Sequence, residues 1–169
     1  MEIVLCTIGF AGKTAQEFFN LLEEAGVEKL IDVRLNRGGQ LSGYAKHPDL
    51  AYFLQRVANI AYSHEPLLTP TSELLDAYRD TKDWSAYELG FLALMRERQV
   101  PQKFDASVWP QRATLLCSEP GPEKCHRRLV ADLLAARWRS LGHQVEIRHL
   151  VAARAKSSKT RRPKANSVS

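Results

Sequence analysis

The side chains best suited to catalysis or metal binding lie in one short segment that contains Cys117, Glu119, Cys125, His126 and Arg127. The apolar run before this segment is typical of a buried strand, and residues 123–141 are typical of a long helix. A thiol that ends such a strand faces backbone N–H groups and the positive end of the helix, and both favour the reactive thiolate. Cys117 is therefore the candidate nucleophile or redox thiol, with His126 as general acid or base.

The same residues allow two other interpretations. Cys117, Cys125 and His126, with His64 as a fourth donor, offer ligands for zinc or an iron–sulfur cluster. However, the C-x7-C-H spacing matches no standard structural zinc pattern, so no cofactor is predicted and a metal is the minority interpretation. Alternatively, Cys117 is a buried apolar thiol that only ends a strand.

The elements that must position these residues follow from short apolar runs. Strands are predicted over residues 2–8, 29–34, 60–64, 113–117 and 145–149, with helical segments between them, among them residues 72–80, 84–99 and 123–141. Strands that alternate with helices predict an α/β fold: a single domain with a mainly parallel five-stranded sheet and helices on both faces.

Ligands of open parallel sheets bind beyond the carboxyl ends of the strands, so the residues at the strand exits are the candidates. Asp32 and Arg34 form either a structural ion pair or a site in which Arg34 binds a substrate anion and Asp32 orients that anion or acts as base. The loop 34–47 is basic and suits a phosphate or polyanion. The candidate catalytic residues are Cys117, His126, His64, Asp32 and Glu119, and the candidate ligand-binding residues are Arg34, Arg127, Thr7, Gly9, Tyr62 and Arg37.

The net charge of +5 first indicates an acidic partner such as nucleic acid. However, six of the 24 basic residues and none of the 19 acidic ones lie in residues 151–169. We therefore expect an α/β domain of residues 1–150 that is close to neutral, followed by a basic, disordered tail of residues 151–169. The tail is a candidate weak contact to nucleic acid.

The cellular setting is predicted from what the sequence lacks. No apolar run has the roughly 18 residues of a membrane-spanning helix, and no basic region precedes the short apolar run at the N-terminus. Three cysteines cannot all pair within one chain, so we expect reduced thiols, a cytoplasmic location and no membrane partner.

Four motifs resemble a known family. Thr7-Ile8-Gly9-Phe10, Asp32-Val33-Arg34, Tyr62-Ser63-His64 and Cys117-x-Glu119-x5-Cys125-His126-Arg127 are similar to motifs of the bacterial and archaeal family called domain of unknown function 488. The resemblance covers about residues 3–150. It implies a compact α/β domain and implies no particular reaction.

Three hypotheses for the function remain open. The first is a cysteine-dependent enzyme, or an enzyme-derived domain, that binds a small anionic or nucleotide-like ligand at the strand ends. The second is a non-catalytic nucleic-acid module that uses the tail and the 34–47 loop. The third is a metal-binding domain through Cys117, Cys125 and His126. The substrate, the reaction and the oligomeric state are left open by the sequence.

Overall fold

The computed structural model describes residues 1–39 and 42–152, and within them the predicted strands and helices all form. The strands are β1 Glu2–Gly9, β2 Lys29–Asp32, β3 Ala61–His64, β4 Arg112–Cys117 and β5 Gln144–Leu150. The α-helices are α1 Ala15–Glu24, α2 Asp49–Ala58, α3 Ser72–Thr81, α4 Trp84–Glu97 and α5 His126–Ser140. The predicted tail lies outside the described residues from residue 153 onward, as do residues 40 and 41 of the predicted basic loop.

The five strands form one parallel sheet in the order β3-β2-β4-β1-β5, which confirms the predicted α/β architecture. In its register, Gly9 lies beside Cys117, and Asp32 lies between Leu116 and His64. The carboxyl ends of β1 to β4 therefore meet at one edge of the sheet. This edge holds the residues that the sequence selected as candidates.

Each face of the sheet packs against its own helices. Leu115 and Cys117 of β4 join the core formed with α4 and α5, whereas Leu116 joins the core formed with α1 and α2. Because successive side chains of a strand point to opposite faces, this alternation directs Cys117 toward α5. The third cysteine, Cys6, is fully buried in the core on the opposite face.

The helix that carries His126 begins later than the sequence predicts. It starts at His126 rather than at residue 123, and Cys125 precedes it as an extended N-cap residue with φ −143° and ψ 134°. Pro120 and Pro122 disfavour helical backbone in the residues before them, which keeps this part of the chain as a loop. The loop returns Cys125 and His126 to the end of β4.

The second strand is shorter than predicted, since β2 ends at Asp32 instead of residue 34. The backbone N–H of Arg34 donates to Asp32 Oδ1 (3.1 Å) and is therefore not available to the sheet. Val33 remains close to the sheet, because its N–H donates to the Leu116 carbonyl (3.1 Å). The chain therefore turns at the strand exit and leaves the Val33 carbonyl available to a side chain of α5.

None of the helices in the described residues combines the length and apolar character that crossing a bilayer requires.

Candidate active site

A cluster of two thiols and one imidazole lies at the end of β4. Sγ of Cys117, Sγ of Cys125 and a ring nitrogen of His126 all lie within 4.8 Å of one another, and the three side chains are buried. Cys117 Sγ lies 3.6 Å from His126 Nδ1. Cys117 ends the strand, Cys125 caps the helix and His126 opens it, so the short loop between strand and helix assembles the cluster.

The orientation of His126 is set by a backbone carbonyl. Its Nε2 lies 2.8 Å from the Val33 carbonyl oxygen, and a carbonyl oxygen only accepts hydrogen bonds. Nε2 therefore carries the proton, and in the neutral ring Nδ1 presents its lone pair to Cys117 Sγ. This arrangement suits Nδ1 either to take the thiol proton or to bind a metal ion.

Arg127 places a positive charge beside the two sulfurs. Its side chain is 0% exposed, and Nη1 donates to the Glu119 carbonyl oxygen (2.6 Å) and to Cys125 Sγ (3.4 Å). Nε and Nη2 are buried with no hydrogen-bond partner, and no carboxylate among the described residues pairs with this guanidinium. A buried charge of this kind stabilises nearby anions strongly, because little solvent screens it.

Gly9 makes the position of Arg127 possible. A Cβ atom at this residue would overlap the Glu119 carbonyl oxygen and would lie 2.8 Å from Arg127 Nη1. Any larger residue would therefore push apart the end of β1, the loop after β4 and the guanidinium. The role of Gly9 in the structure is this close approach, since its φ lies outside the left-handed region.

The two thiols have opposite shifts in their pKa values. The hydrogen bond from Cys125 lowers the pKa of Cys117 below its usual value; burial opposes this shift, and the N–H groups of Ser118 and Glu119 and the charge of Arg127 support it. Burial raises the pKa of Cys125 well above its usual value, and its hydrogen bond to Cys117 and the negative charge of that neighbour add to the effect. The pair therefore favours a thiolate at Cys117 and a neutral thiol at Cys125.

A cavity of about 350 Å³ opens onto this cluster. Four of its lining residues are basic, namely Arg34, Arg79, Lys82 and Lys124, and Glu119 is its acidic lining residue. Lys82 and Lys124 form no ion pair within the described residues. The cavity therefore has a positive balance of charge. Its remaining lining residues are Leu35, Asn36, Pro70, Leu75, Tyr78, Trp84, Tyr87, Cys117, Ser118, Cys125 and His126.

Aromatic rings form one wall of this cavity and continue to the imidazole. Trp84 is stacked on Tyr87 (5.3 Å between centroids), and Tyr78 packs against both rings at 5.8 and 5.1 Å. Tyr87 stacks on Phe91 at 6.1 Å, and Phe91 lies 5.2 Å from the His126 ring. The sequence predicts Tyr87 and Phe91 as core residues. Both are buried, and Tyr87 also lines the cavity.

A second polar cluster lies at the end of β2. Arg34 binds Asp32 through two bonds, from Nε to Oδ1 (2.8 Å) and from Nη2 to Oδ2 (2.7 Å), and both side chains are buried. The Tyr62 hydroxyl donates to Asp32 Oδ2 (2.8 Å), and Arg37 Nη1 donates to that hydroxyl oxygen (3.4 Å). His64 Nε2 lies 3.1 Å from the Arg34 carbonyl oxygen, where it donates a hydrogen bond. Both carboxylate oxygens of Asp32 are therefore occupied.

The structure divides the predicted site residues into two groups. Cys117, His126, Glu119 and Arg34 line the cavity with Cys125, and Arg127 contacts this group from behind. The others lie away from the cavity: Thr7 is buried in a hydrogen bond to His149 Nδ1 (2.7 Å), Gly9 contacts the Glu119 carbonyl, and Asp32, Tyr62, Arg37 and His64 form the second cluster.

Several lining residues were missed at the sequence level. Tyr78, Trp84 and Lys82 come from α3, α4 and the turn between them, far from any strand exit. The signal for them is weak: a left-handed Lys82 ends α3, and Asp83 caps α4. Neither feature indicates a ligand.

The fold and the site together define a class: a parallel α/β domain with a buried dithiol and imidazole at the carboxyl edge of its sheet. The chain belongs to the family described as Domain of unknown function DUF488, whose family model matches residues 14–134. This result confirms the resemblance seen in the motifs, and the description of the family assigns no function. No curated protein and no solved structure matches the chain significantly.

Proposed function

We propose that this protein is a thiol-dependent enzyme in which Cys117 is the nucleophile and His126 the general acid and base. The observation that carries the proposal is the pair of Cys117 Sγ and the lone pair of His126 Nδ1, 3.6 Å apart at the wall of a cavity. A nucleophile, a base within reach and a group that orients the base form the arrangement expected for covalent catalysis. The orienting group here is the Val33 carbonyl.

The reaction step follows from these positions. Cys117 gives its proton to His126 Nδ1, and the electron pair of the sulfur forms a bond to an electrophilic atom of the ligand. The bond from that atom to the leaving group breaks, and the leaving group takes the proton from Nδ1. Between these two proton transfers the ring is a positive imidazolium. It is stabilised because Nε2–H donates to the Val33 carbonyl oxygen.

The ligand that best fits the cavity is small, anionic and partly planar. The charge of Arg34 is already paired with Asp32, so Lys82 and Lys124 supply the positive charge that remains for a ligand. Trp84 and Tyr78 offer ring faces on the same wall. This combination supports the small anionic or nucleotide-like ligand expected from the sequence.

Alkylation by a neutral and by an anionic reagent tests the proposal. We expect iodoacetamide to modify Cys117 in preference to Cys6 and Cys125, as seen by peptide mapping. We also expect the ratio of the iodoacetate rate to the iodoacetamide rate to be higher for Cys117 than for a free thiol, because the basic lining attracts the carboxylate. In the double variant Lys82→Gln/Lys124→Gln this ratio should fall to that of a free thiol.

The matched control is Lys103→Gln, at an exposed lysine beside a different cavity, which should keep the ratio of the two reagents. In His126→Gln we expect the reaction of Cys117 at neutral pH to slow by at least about tenfold, because the base that takes the thiol proton is lost. Modification of Cys117 at the same low rate as the buried Cys6 would overturn the proposal.

A second candidate function, metal binding, is supported by one distance. Zinc holds sulfur at about 2.3 Å and nitrogen at about 2.0 Å, so tetrahedral ligands of the two kinds lie roughly 3.6 Å apart. Cys117 Sγ and His126 Nδ1 have this separation, and the hydrogen bond of Nε2 to a carbonyl is the usual support of a metal-binding histidine. Cys125 would be the third ligand, and the fourth position would face the cavity.

Elemental analysis of protein prepared without chelators or metal-affinity resin tests this candidate. A metal centre predicts about one bound ion per chain, loss of that ion in Cys125→Ser, retention in Cys6→Ala, and protection of Cys117 from alkylation. Metal-free protein with a reactive Cys117 removes the candidate and leaves the thiol enzyme.

A further inference from the structure

We infer that Cys117 and Cys125 work as a redox dithiol that reduces a small disulfide carrying carboxylate groups. The inference rests on the proposed role of Cys117 as nucleophile and names the substrate class of that site. It adds Cys125 as the second reacting group, a role that nucleophilic catalysis by Cys117 alone does not require.

The first support is the distance between the two sulfurs. They lie within 4.8 Å of each other, whereas a disulfide bond is about 2.05 Å long, so the atoms must approach by less than roughly 3 Å. Residues 118–124 between them contain no helix or strand, and the Cys125 side chain makes no capping hydrogen bond to α5. Rotation of the two side chains, with a small shift of Cys125 ahead of α5, can therefore bring the sulfurs together while β4 and α5 stay in place.

The second support is the unequal environment of the two thiols. Cys117 Sγ lies 3.6 Å from Nδ1 of His126, so it attacks the substrate first. Cys125 is 2% exposed and Cys117 is 6% exposed, so Cys125 reacts second. His126 Nδ1 belongs to the same cluster of donor atoms, so it can accept the proton of Cys125 when this thiol attacks in turn.

The reaction is a pair of thiol–disulfide exchanges. In the first, the Cys117 thiolate attacks one sulfur of the substrate R–S–S–R, a Cys117–S–S–R bond forms, and RS⁻ leaves. The first RS⁻ takes the proton that Cys117 had given to His126 Nδ1, which frees this nitrogen again. In the second exchange, Cys125 loses its proton to His126 Nδ1 and attacks Cys117 Sγ, and the second RS⁻ leaves and takes that proton. The protein loses two protons and two electrons, and the substrate gains them as two molecules of RSH.

The charge of the cavity selects the substrate. Lys82 and Lys124 lie on its lining without ion-pair partners among the described residues, and Arg127 adds positive charge behind the sulfurs. A disulfide with carboxylate ends is attracted by this field, and one with ammonium ends is repelled. Both the entering disulfide and the leaving thiolates are therefore favoured when the substrate is an acid.

The experiment uses the reduced full-length protein with three disulfides: oxidised glutathione, which is negative, hydroxyethyl disulfide, which is neutral, and cystamine, which is positive. Each rate is divided by that of 2-mercaptoethanol, a neutral thiol, with the same disulfide. We expect oxidised glutathione to exceed cystamine by at least about tenfold after this correction. Mass spectrometry should show a chain lighter by two hydrogen atoms, with Cys117 linked to Cys125 and Cys6 free.

Two variants separate the roles of the thiols. Cys125→Ser should stop after the first exchange and hold glutathione on Cys117, whereas Cys117→Ser should form no stable product in the cavity. Alkylation of Cys117 while Cys6 stays protected in the core shows that this variant is folded. Lys82→Gln/Lys124→Gln should reduce the differences among the corrected rates of the three disulfides, and Lys103→Gln should leave these differences unchanged.

The outcomes separate this inference from the proposed function. If the wild-type protein keeps glutathione on Cys117 and never links Cys117 to Cys125, the dithiol inference is wrong and the nucleophile remains. If cystamine reacts as fast as oxidised glutathione, the acidic substrate class is wrong. If Cys117 reacts neither with disulfides nor with iodoacetamide, the inference and the proposed function both fail.

Discussion

Arg34 and Arg127 are both buried at the carboxyl edge of the sheet, yet their surroundings are opposite. Arg34 shares two hydrogen bonds with Asp32, and that carboxylate receives a further bond from Tyr62. Arg127 has a backbone carbonyl and a sulfur as its partners, and two of its nitrogens have none. The cluster of Arg34 and Asp32 is closed, because its opposite charges are paired with each other. The cluster around Arg127 is open, because its positive charge has no carboxylate partner and can act on the thiols.

The surroundings of a buried charge separate a structural role from a functional one. A buried ion pair with full hydrogen bonding holds two parts of a fold together, and its two charges interact mainly with each other. A buried cation without a carboxylate is costly in itself, so its neighbours must provide the compensation. Here the available anion is a cysteine thiolate. We therefore expect changes around Arg34 to affect mainly stability and changes at Arg127 to affect mainly the reactivity of Cys117.

The largest effect is expected for Asp32→Asn, which leaves the buried Arg34 without its counter-ion. We expect the free energy of unfolding to fall by about 3–5 kcal/mol. Urea unfolding monitored by circular dichroism measures it. The control is Asp76→Asn, which breaks an exposed pair with Arg79 and should cost less than about 1 kcal/mol. Equal effects of the two substitutions would contradict the comparison.

A smaller loss is expected for Tyr62→Phe, which removes one hydrogen bond to the Asp32 carboxylate and keeps the ring. We expect unfolding to become easier by about 1.5–3 kcal/mol, since the bond reaches a charged group. The same urea titration measures the change. Tyr52→Phe, at an exposed tyrosine of α2, is the control and should have no such effect. The alkylation rate of Cys117 should be unchanged in both variants.

Arg127→Met should have little effect on stability and should lower the reactivity of the Cys117 thiol. Its free energy of unfolding should stay within about 1 kcal/mol of the wild type, because the loss of the two hydrogen bonds of Nη1 is offset by the removal of a buried charge. Alkylation of Cys117 at neutral pH should slow, because one of the charges that lower the pKa of this thiol is lost. Arg128→Met alters a partly exposed neighbour and should leave the rate unchanged. A loss of stability as large as that of Asp32→Asn would remove the distinction between the arginines.

The smallest effect concerns the pH at which Cys117 becomes reactive. Because its pKa is lowered, the thiolate persists below the usual titration range of cysteine, and the alkylation rate should reach half of its maximum at a lower pH than that of a free thiol. In Cys125→Ala the leading cause of the lowered pKa, the hydrogen bond from Cys125, is lost, so this midpoint should move upward. Rate profiles between acidic and alkaline pH give both values. A downward movement would show that Cys125 hinders the thiolate.

Much of this arrangement could be predicted from the sequence. Short apolar runs define the strands, and a parallel sheet brings the ends of those strands to one edge, so Cys117, His126 and Arg34 were selected correctly as neighbours of one cavity. The start of α5 was predicted three residues early, because capping and helical patterns carry less weight than the two prolines before it.

The remaining features depend on three-dimensional packing that local patterns do not encode. His64 is polar and ends a strand like the other candidates, yet it contacts the Arg34 carbonyl. Trp84 and Lys82 reach the cavity only because α3 and α4 fold back over the edge of the sheet. The two interpretations of Asp32 and Arg34 could not be separated either, since both require the same residue types. The closed set of hydrogen bonds around Asp32 now favours the structural ion pair.

The bond between His126 Nε2 and the Val33 carbonyl also joins the two clusters through the backbone, because Val33 lies between Asp32 and Arg34 in the chain. The hydrogen bonds between Asp32 and Arg34 hold the turn that presents this carbonyl. The carbonyl in turn determines which ring nitrogen of His126 faces the Cys117 thiol. An ion pair that stabilises the end of a strand thus also fixes the direction of the imidazole in the neighbouring cluster.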